Sequence, residues 1–560
     1  MCLSALQRSR NEITLGVVLA TLSGVLLFTA TPDFDIWIFA WFAMVPAFFA
    51  IERASTKRRA VFFGWWVGLI GNAGGFYWIV ATSQRFGELP MSVAVLLFFL
   101  FCAYQGLTLL LFAWVMRAVR QNTTLPMALV APVVIVACEM CVPLVFPYYL
   151  AITQAWQAHV IQVADLTGPL GITALLMMVN GAGYDFICDG RRRLPSVVTA
   201  FVILAVVLGY GHVRIRQMEA RRAAAPKIKV GVVQPNVVFN HDSGANQTVT
   251  RRQLAEMQLR SAELEREGAD LIIWPEAGYA ASIPRVNTGD WTETHPYRIR
   301  RVFTRPLIMG AETRDPLWRG GRAYNTALML DEGGVFTGRY DKVNLLIFGE
   351  YLPGRELFPR MEQYLPASVG NLTPGDGAVT FPFRTADGRE WRLAPVICLE
   401  DLLPAFGREI AGLHPHLLVN ITDDSWFGAT SEPWEHLALS IFRSVELRTD
   451  MVRAVNPGVS AYVDAAGRVY AKTFSSDPSV NPRGADKILA QVALVEGGHT
   501  IYAIVGDLFG YLCAASTLYL WLASLRLAHC TSPAKSSKTT TGVRGVRYLV
   551  TSERTTPKKR

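Results

Sequence analysis

The hydrophobic residues of this chain are gathered into long uninterrupted runs before residue 214 and again near residue 510. The seven early runs cover residues 13–30, 36–51, 60–82, 91–116, 125–146, 168–188 and 197–213. Each run is near the length that crosses a bilayer, and an eighth run at residues 508–525 follows a long stretch of mixed polarity. The pattern predicts a membrane protein with about eight spans.

Between residues 214 and 500 the pattern changes to short β-branched runs that alternate with amphipathic helical stretches. Strands are predicted at residues 227–234, 269–274, 306–311, 327–330, 392–398 and 417–421, and helices at 248–267, 405–413 and 433–449. Repeated alternation of this kind is typical of an α/β domain whose sheet is largely buried. Active sites in such domains gather at the carboxyl ends of strands.

The predicted organisation has four parts. They are an N-terminal membrane domain of about seven helices (1–213), an α/β catalytic domain (214–500), a C-terminal transmembrane helix (501–526) and a basic, disordered tail (527–560). The net charge of +9 is concentrated in the tail, where nine Lys or Arg face one acid from residue 526 onward, so only about +1 remains for the rest. The body therefore lacks the charge of a nucleic-acid-binding protein.

Charged residues between the hydrophobic runs predict the orientation. Basic clusters at residues 53–59, 117–120 and 191–193 fall in alternate loops, which the positive-inside rule assigns to the cytoplasm. Seven crossings then place residues 214–500 on the outer side of the membrane. Four arginines between residues 214 and 222 oppose the rule, but they open a long domain, where the rule has little force.

One cysteine lies inside the α/β region. Cys398 ends a predicted strand, Glu276 follows another, and Lys342 lies in a loop after the strand at residues 327–330. A carboxylate can accept a thiol proton, a thiolate can attack a carbonyl, and an ammonium can stabilise the resulting oxyanion. Taken singly, each residue has an alternative reading: an inert buried thiol, an acid in a turn and a solvated surface lysine.

Three sequence motifs favour catalytic roles for these residues over the alternative readings, because the motifs resemble those of a known enzyme superfamily. Ile273-Trp274-Pro275-Glu276, Tyr340-Asp341-Lys342 and Ile397-Cys398-Leu399-Glu400 resemble, in order, the catalytic motifs of the nitrilase superfamily. Together with the apolar runs on both sides, the whole resembles the membrane-embedded branch of that superfamily, the apolipoprotein N-acyltransferases. The resemblance implies a nitrilase-like α-β-β-α sandwich inserted between transmembrane helices.

The resemblance also implies roles for individual residues. Glu276 matches the general base, Lys342 the oxyanion-stabilising lysine and Cys398 the nucleophile, while Glu350 and Glu400 match acids that orient the lysine and shape the pocket. Leu399 stands where the family often has tyrosine, so only its backbone N–H is available to an oxyanion. A basic residue expected near Gly506 and Asp507 is absent from residues 502–507.

The implied reaction is transfer of an acyl chain from a phospholipid, through a thioester on Cys398, to the α-amino group of a diacylglyceryl-modified apolipoprotein. No metal or cofactor and no nucleic-acid partner is expected. Three alternatives remain at this point: a membrane-tethered carbon–nitrogen hydrolase (amidase) with the same triad, a transporter with an accessory domain, and an inactive lipoprotein-binding module. No internal repeat between halves of the membrane part is evident, which disfavours the transporter.

Three further features are open to interpretation. Glu139 lies within the fifth apolar run, where an acid either has a function or pairs helices. Residues 147–167, with alternating polar and aromatic positions, are predicted to lie in the outer membrane interface. Residues 344–365 are a candidate mobile lid.

Overall fold

The structure, a computed structural model, describes residues 2–531 apart from 86, 238–246, 316–320, 348, 353–369, 429 and 474–485. Most of the candidate lid and the basic tail after residue 531 lie outside these residues. Eleven α-helices precede the first strand in the described part: α1 Cys2–Thr29, α2 Met44–Arg53, α3 Lys57–Gly75, α4 Trp78–Arg85, α5 Met91–Gln105, α6 Leu107–Asn122, α7 Met127–Cys141, α8 Ala158–Ile161, α9 Ala164–Thr167, α10 Leu170–Asp189 and α11 Leu194–Ala224.

Four helical stretches are long and apolar enough to cross a membrane. They are Arg10–Thr29, Met91–Asn122, Leu170–Ala224 and, near the carboxyl end, Leu508–Arg526. The second stretch contains both α5 and α6, and the third contains α10 and α11. Helix α7 is also apolar but shorter. The helical character predicted for the first part of the chain is therefore present.

Three predicted runs are not single helices, the run at residues 91–116 being divided between α5 and α6. The run at residues 36–51 is divided into a 3-10 helix, Trp37–Trp41, and α2, whose 10 residues span about 15 Å, half of a hydrocarbon core. Pro46 lies in the first turn of α2, the part of a helix that tolerates a proline, so the chain starts a new helix there. The run at residues 60–82 is likewise divided, into α3 and α4.

The strands that follow form two sheets. The strands are β1 Lys227–Gln234, β2 Leu271–Ile273, β3 Tyr279–Pro284, β4 Leu307–Asp315, β5 Arg322–Leu330, β6 Phe336–Asp341, β7 Phe381–Arg384, β8 Glu390–Ile397, β9 Leu417–Thr422, β10 Met451–Val455, β11 Ala461–Val463, β12 Val469–Lys472 and β13 Asp486–Ala493. The first sheet has the order β13-β1-β2-β4-β5-β6, with β3 paired to β4. The second has the order β12-β11-β10-β9-β8-β7.

Five further helices accompany the sheets in the described part: α12 Gln247–Arg266, α13 Pro404–Ala411, α14 Glu432–Leu447, α15 Ile501–Val505 and α16 Leu508–Thr531. Strand β2 shows how the layers arise. Its Leu271 and Ile273 face the core between the two sheets, whereas Ile272 faces the core beneath α12. Helices α13 and α14 pack on the second sheet, which gives the α-β-β-α order expected from the sequence.

Residues 147–167 do not lie in an exposed membrane interface, contrary to the prediction. The side chains of Ala151, Ile152 and Gln154 are buried between the helical part and the α/β domain. The amide of Gln162 donates to the carbonyl of Ala466 at 2.8 Å. Because this segment is buried and hydrogen-bonded to the α/β domain, it joins the two parts of the molecule.

Asp165, in the same segment, is the ion-pair partner of Arg214, one of the arginines that oppose the positive-inside rule. Its carboxylate accepts from Arg214 of α11 at 2.9 Å and from Arg448, at the end of α14, at 2.6 Å. A second such arginine, Arg222, pairs with the buried Asp450 at 2.8 Å. These arginines therefore anchor α11 to the α/β domain.

Candidate active site

The three predicted triad residues are brought together from three strand ends. Cys398 directly follows β8, and Glu276 lies just past β2. Lys342 directly follows β6, a strand that the sequence did not predict, rather than lying in a loop after β5. The β5–β6 hairpin places Asp341 opposite Thr326, so the backbone N–H of Lys342 donates to the carbonyl of Asn325 at 2.8 Å.

Glu276 is buried, and both of its carboxylate oxygens have partners. Oε1 accepts from the side-chain amide of Asn325 at 2.6 Å and lies 3.4 Å from Nζ of Lys342. Oε2 accepts from the backbone N–H of Asp423 at 2.9 Å. The carboxylate is therefore fixed in position, as a general base needs to be.

Lys342 lies between two carboxylates. Its Nζ is 2.8 Å from Oε2 of Glu350 and 3.4 Å from Oε1 of Glu276, and the side chain is only 1% exposed. Glu350 also accepts from the Asn325 amide at 2.7 Å and from the backbone N–H of Leu346 at 2.7 Å. One ammonium and one amide thus hold two acids side by side.

Cys398 occupies an unusual backbone conformation. Its φ of +54° lies in the left-handed region, and it begins the 3-10 helix Cys398–Leu402. A non-glycine residue held there costs free energy and persists only where its surroundings fix it. The Leu399 N–H lies in the first turn of this helix, where backbone amides have no partner within the helix and are available to an oxyanion.

Glu400 is one of the groups that fix this turn. Its Oε2 accepts from the hydroxyl of Tyr340 at 2.7 Å and from the N–H of Ile397 at 3.0 Å. Its Oε1 accepts from the N–H groups of Val343 and Asn344 at 2.8 and 3.0 Å. Glu400 therefore ties the nucleophile's turn to the segment that follows Lys342.

Burial and charge set the protonation of the site. Burial raises the pKa of the Cys398 thiol well above its usual range, Glu276 raises it further, and Lys342 opposes both. Burial also raises the pKa of Glu276, against the opposing effect of Lys342. Burial lowers the pKa of Lys342, but Glu276 and Glu350 outweigh burial and raise it well above its usual value. The resting site therefore holds a thiol, a cationic lysine and acids that favour proton uptake.

Two functional contacts were missed by reasoning from sequence. Asn325 bridges Glu276 and Glu350 from within β5, and Asp423 supplies a backbone donor to Glu276 from the end of β9. Burial, followed by the nearby Glu276, raises the pKa of the Asp423 carboxyl well above its usual value. Only the position of Asp423 after a predicted strand could have indicated it; an asparagine in mid-strand carries no such signal.

Two groups of described residues have metal-ligand atoms within 4.8 Å of one another: His414, Glu496 and His499 at the surface, and Asp424, Glu432 and His436 inside. In the first, Glu496 already accepts from Arg392 at 2.9 Å, and the two imidazoles stack at 4.5 Å. In the second, both ring nitrogens of His436 face carboxylates. Neither group includes a residue of the candidate triad.

An aromatic junction joins the α/β domain to the helical part near the loop that follows β9. The ring of Trp78 lies 5.0 Å from that of Phe427, and its indole N–H donates to Glu435 at 3.3 Å. The backbone N–H of Ser431 donates to the hydroxyl of Tyr77 at 3.2 Å. The loop that carries Asp423 therefore packs against the start of helix α4.

The basic residue missing from residues 502–507 is supplied by another element. Arg408 of α13 pairs with Asp507 at 2.8 Å and donates to the hydroxyl of Tyr502 at 2.9 Å. A guanidinium thus does lie beside Gly506 and Asp507, although it is 98 residues away in sequence, as their numbers 408 and 506 show.

Comparison with known families assigns the two parts of the chain. A carbon–nitrogen hydrolase model matches residues 229–478, which include the second sheet, the first sheet apart from β13 and the start of β1, and the candidate triad. The α/β domain thus belongs to the carbon–nitrogen hydrolase class, which includes the nitrilases. A model of the apolipoprotein N-acyltransferase N-terminal domain matches residues 23–182.

Relatives match across both parts. An apolipoprotein N-acyltransferase from Geobacter metallireducens is 29% identical over 89% of this chain and 93% of the relative. One from Bdellovibrio bacteriovorus is 29% identical over 81% of this chain and 85% of the relative. A nitrilase-superfamily structure from Saccharomyces cerevisiae covers 48% of this chain and 90% of its own, with 17% identity and a TM-score of 0.33. The chain is thus similar to apolipoprotein N-acyltransferases over both its helical part and its α/β domain.

Proposed function

We propose that this chain transfers an acyl group from a phospholipid to the α-amino group of the diacylglyceryl-modified N-terminal cysteine of an apolipoprotein, with Cys398 as the nucleophile. The observation that carries the proposal is the meeting of Cys398, Glu276 and Lys342 in a buried site of a chain that also has membrane-length apolar helices. The named relatives, which match the helical part as well as the α/β domain, support the same reaction.

The first half-reaction forms a thioester. Glu276 accepts the proton of Cys398, and the sulfur attacks the ester carbonyl of the phospholipid while Lys342 and the Leu399 N–H stabilise the oxyanion. The C–S bond forms, the C–O bond breaks, and the protonated Glu276 returns its proton to the departing alkoxide. A lysophospholipid leaves.

The second half-reaction transfers the acyl group to the amine. The free α-amino group of the apolipoprotein attacks the thioester carbonyl, so the C–N bond forms and the C–S bond breaks. Glu276 accepts the proton that the amine loses and passes it to the sulfur, which restores the thiol. Both substrates bring acyl chains that are costly to expose to water, so a membrane-bound site reduces that cost.

The membrane arrangement is part of the proposal. We infer a division into residues 1–213, 214–500, 501–526 and 527–560, with about eight spans and the catalytic domain on the periplasmic face of the inner membrane. The 55-residue stretch from Leu170 to Ala224 is long enough for two spans, since one needs about 20 residues. The contact of Trp78 with Phe427 supports this arrangement because it joins helix α4 to the α/β domain, and we infer that lipid substrates enter near this contact.

The test measures the intact mass of the full-length protein after incubation with phospholipid vesicles, for the wild type, Cys398→Ala and the control Cys513→Ala. Cys513 is a buried thiol in α16. We expect an acyl mass on the wild type and the control that hydroxylamine removes and a diacylglyceryl-cysteine peptide discharges. Adduct on Cys398→Ala would overturn the role of Cys398. Equal decay with and without the peptide would indicate a hydrolase (amidase) instead.

A further inference from the structure

A closed ring of four charged side chains lies beside the nucleophile's turn. Nε2 of His436 is 3.0 Å from Oδ1 of Asp401, and its Nδ1 is 3.1 Å from Oδ1 of Asp424. Arg453 closes the ring, with Nη1 2.8 Å from Oδ2 of Asp401 and Nη2 3.3 Å from Oδ2 of Asp424. All four side chains are almost fully buried. We call Asp401, His436, Asp424 and Arg453 the charged ring.

The ring fixes the protonation of His436. Each of its nitrogens faces a carboxylate oxygen, and only an imidazolium can donate from both nitrogens at once. Two carboxylates, one imidazolium and one guanidinium alternate around the ring, so it carries no net charge. Every carboxylate oxygen in the ring has a cationic partner, which is the condition under which buried charges are tolerated.

The ring is connected to Cys398 in two ways. Asp401 lies in the same 3-10 helix as Cys398, three residues later, on the turn that Glu400 also binds. Arg453 also donates to the side-chain oxygen of Asn420 at 3.1 Å, and the Asn420 amide approaches the Cys398 carbonyl at 3.4 Å. Two separate sets of contacts therefore hold Cys398 in its left-handed backbone conformation: the hydrogen bonds of Glu400 and the contacts of the charged ring.

The charges around the ring are few and can all be named. His436 faces Asp401, Asp424, Arg453 and, at 3.6 Å from Nδ1, Oε1 of Glu432. Burial raises the pKa of Glu432 well above its usual value, and Asp424 raises it further, so this third acid favours its neutral form. Since both ring nitrogens of His436 donate to carboxylates, neither nitrogen has a lone pair for a metal ion.

We propose that His436 and Arg453 are positioning residues for Cys398: through Asp401 and Asn420 they hold the nucleophile's turn in its strained conformation, and they neutralise Asp424, whose charge would otherwise disfavour the thiolate. The inference rests on the proposed function for its catalytic meaning. It does not depend on lipid chemistry for its test, because thiolate reactivity can be measured without a lipid.

The experiment measures the rate of iodoacetamide alkylation at Cys398 by peptide mass spectrometry between pH 6 and pH 10, in full-length protein in detergent. The variant is His436→Gln, which keeps a polar side chain but cannot donate to both carboxylates. The control is Arg448→Gln, which removes a similarly buried cation near the other end of α14, where it binds Asp165. Thermal stability and the kcat and KM of acyl transfer are recorded for each protein.

We expect His436→Gln to raise the apparent pKa of alkylation, so that the rate near pH 8 falls about tenfold, the effect of one pKa unit on the thiolate fraction. The kcat of acyl transfer should fall with it while KM stays unchanged. Arg448→Gln should lose comparable thermal stability without moving the alkylation profile. If His436→Gln does not fold, Asp424→Asn breaks the ring with a side chain of the same size; because the Asp424 charge raises the pKa of Cys398, the alkylation profile of this variant should shift to lower pH.

Either of two results would overturn the inference: an unchanged alkylation profile in the folded ring variant, or an equal shift in Arg448→Gln. A shifted profile in a protein whose wild type transfers no acyl group would instead refute the proposed function and support the positioning role.

Discussion

Two buried groups of charges meet at Cys398, and they differ in balance. The first holds two acids, Glu276 and Glu350, around one base, Lys342. The charged ring on the other side holds two acids and two bases, and every carboxylate oxygen in it is paired. The excess acid in the first group favours proton uptake, which a general base requires. The neutral ring has no such excess and is suited to holding geometry.

The largest loss of activity is expected when the thiol of Cys398, where the two buried groups of charges meet, is removed. Cys398→Ala removes the nucleophile, so acyl transfer to a diacylglyceryl-cysteine peptide should fall by at least about a thousandfold. Cys513→Ala, in the last helix, should retain wild-type turnover. Residual activity of Cys398→Ala within tenfold of wild type would show that another group carries the acyl chain.

Removing Lys342 from the group that it forms with Glu276 and Glu350, here called the unbalanced group, should lower the activity almost as much. Lys342→Met leaves Glu276 and Glu350 facing each other without a cation and removes the oxyanion's partner, so kcat should fall about 10²- to 10³-fold. Lys487→Met removes a lysine that pairs with Glu263 at the surface and should leave kcat unchanged. A Lys342→Met enzyme whose KM rises while its kcat stays unchanged would argue against oxyanion stabilisation.

Breaking the balanced ring should appear first in stability and its pH dependence. Burial and Arg453 lower the pKa of His436, but Asp401 and Asp424 outweigh them, and it is raised to about 10. Because the folded pKa is above the unfolded one, the stabilisation is complete below about pH 6.5 and is lost as the pH rises to about 10.

Between pH 7 and pH 9 the free energy of unfolding of the wild type should therefore fall by about 3 kcal/mol more than that of His436→Gln. Thermal unfolding of both proteins in detergent at these two pH values checks the difference. Parallel curves would mean that His436 does not titrate in this range.

A smaller pH-dependent change in stability is expected from Glu435, a buried acid that belongs to neither group. Burial raises the pKa of Glu435 to about 8, so this part of the stability is present below about pH 4.5 and is lost as the pH rises through 8. Glu435→Gln removes the titration but keeps an acceptor for Trp78. Relative to wild type it should gain about 1 kcal/mol between pH 7 and pH 9, measured by thermal unfolding. No relative gain would show that Glu435 is already ionised at pH 7.

The unbalanced group could be predicted from sequence because its members stand next to strands with strong hydrophobic patterns. Glu276 and Cys398 follow β2 and β8, whose buried runs are evident in the printed sequence. Lys342 was found through its motif, although the strand before it, β6, was missed: its sequence, Phe336–Asp341, is short and half polar. The fold class followed from the same alternation.

The charged ring could not be predicted. Its members come from a 3-10 turn, the loop after β9, helix α14 and the middle of β10, and nothing in the spacing of Asp401, Asp424, His436 and Arg453 indicates that they close on each other. The same limit applies to residues 147–167, whose polar positions suggested a lipid interface. They are instead partners for Arg448 and Ala466, which only the tertiary arrangement reveals.

Helix α14 carries both His436 and, at its end, Arg448, which is bound to Asp165 beside the apolar helices. The 12 residues between them, from the numbers 436 and 448, correspond to about 18 Å of helix. The helix therefore sets a fixed distance between the charged ring beside Cys398 and the salt bridge at Asp165 beside the apolar helices.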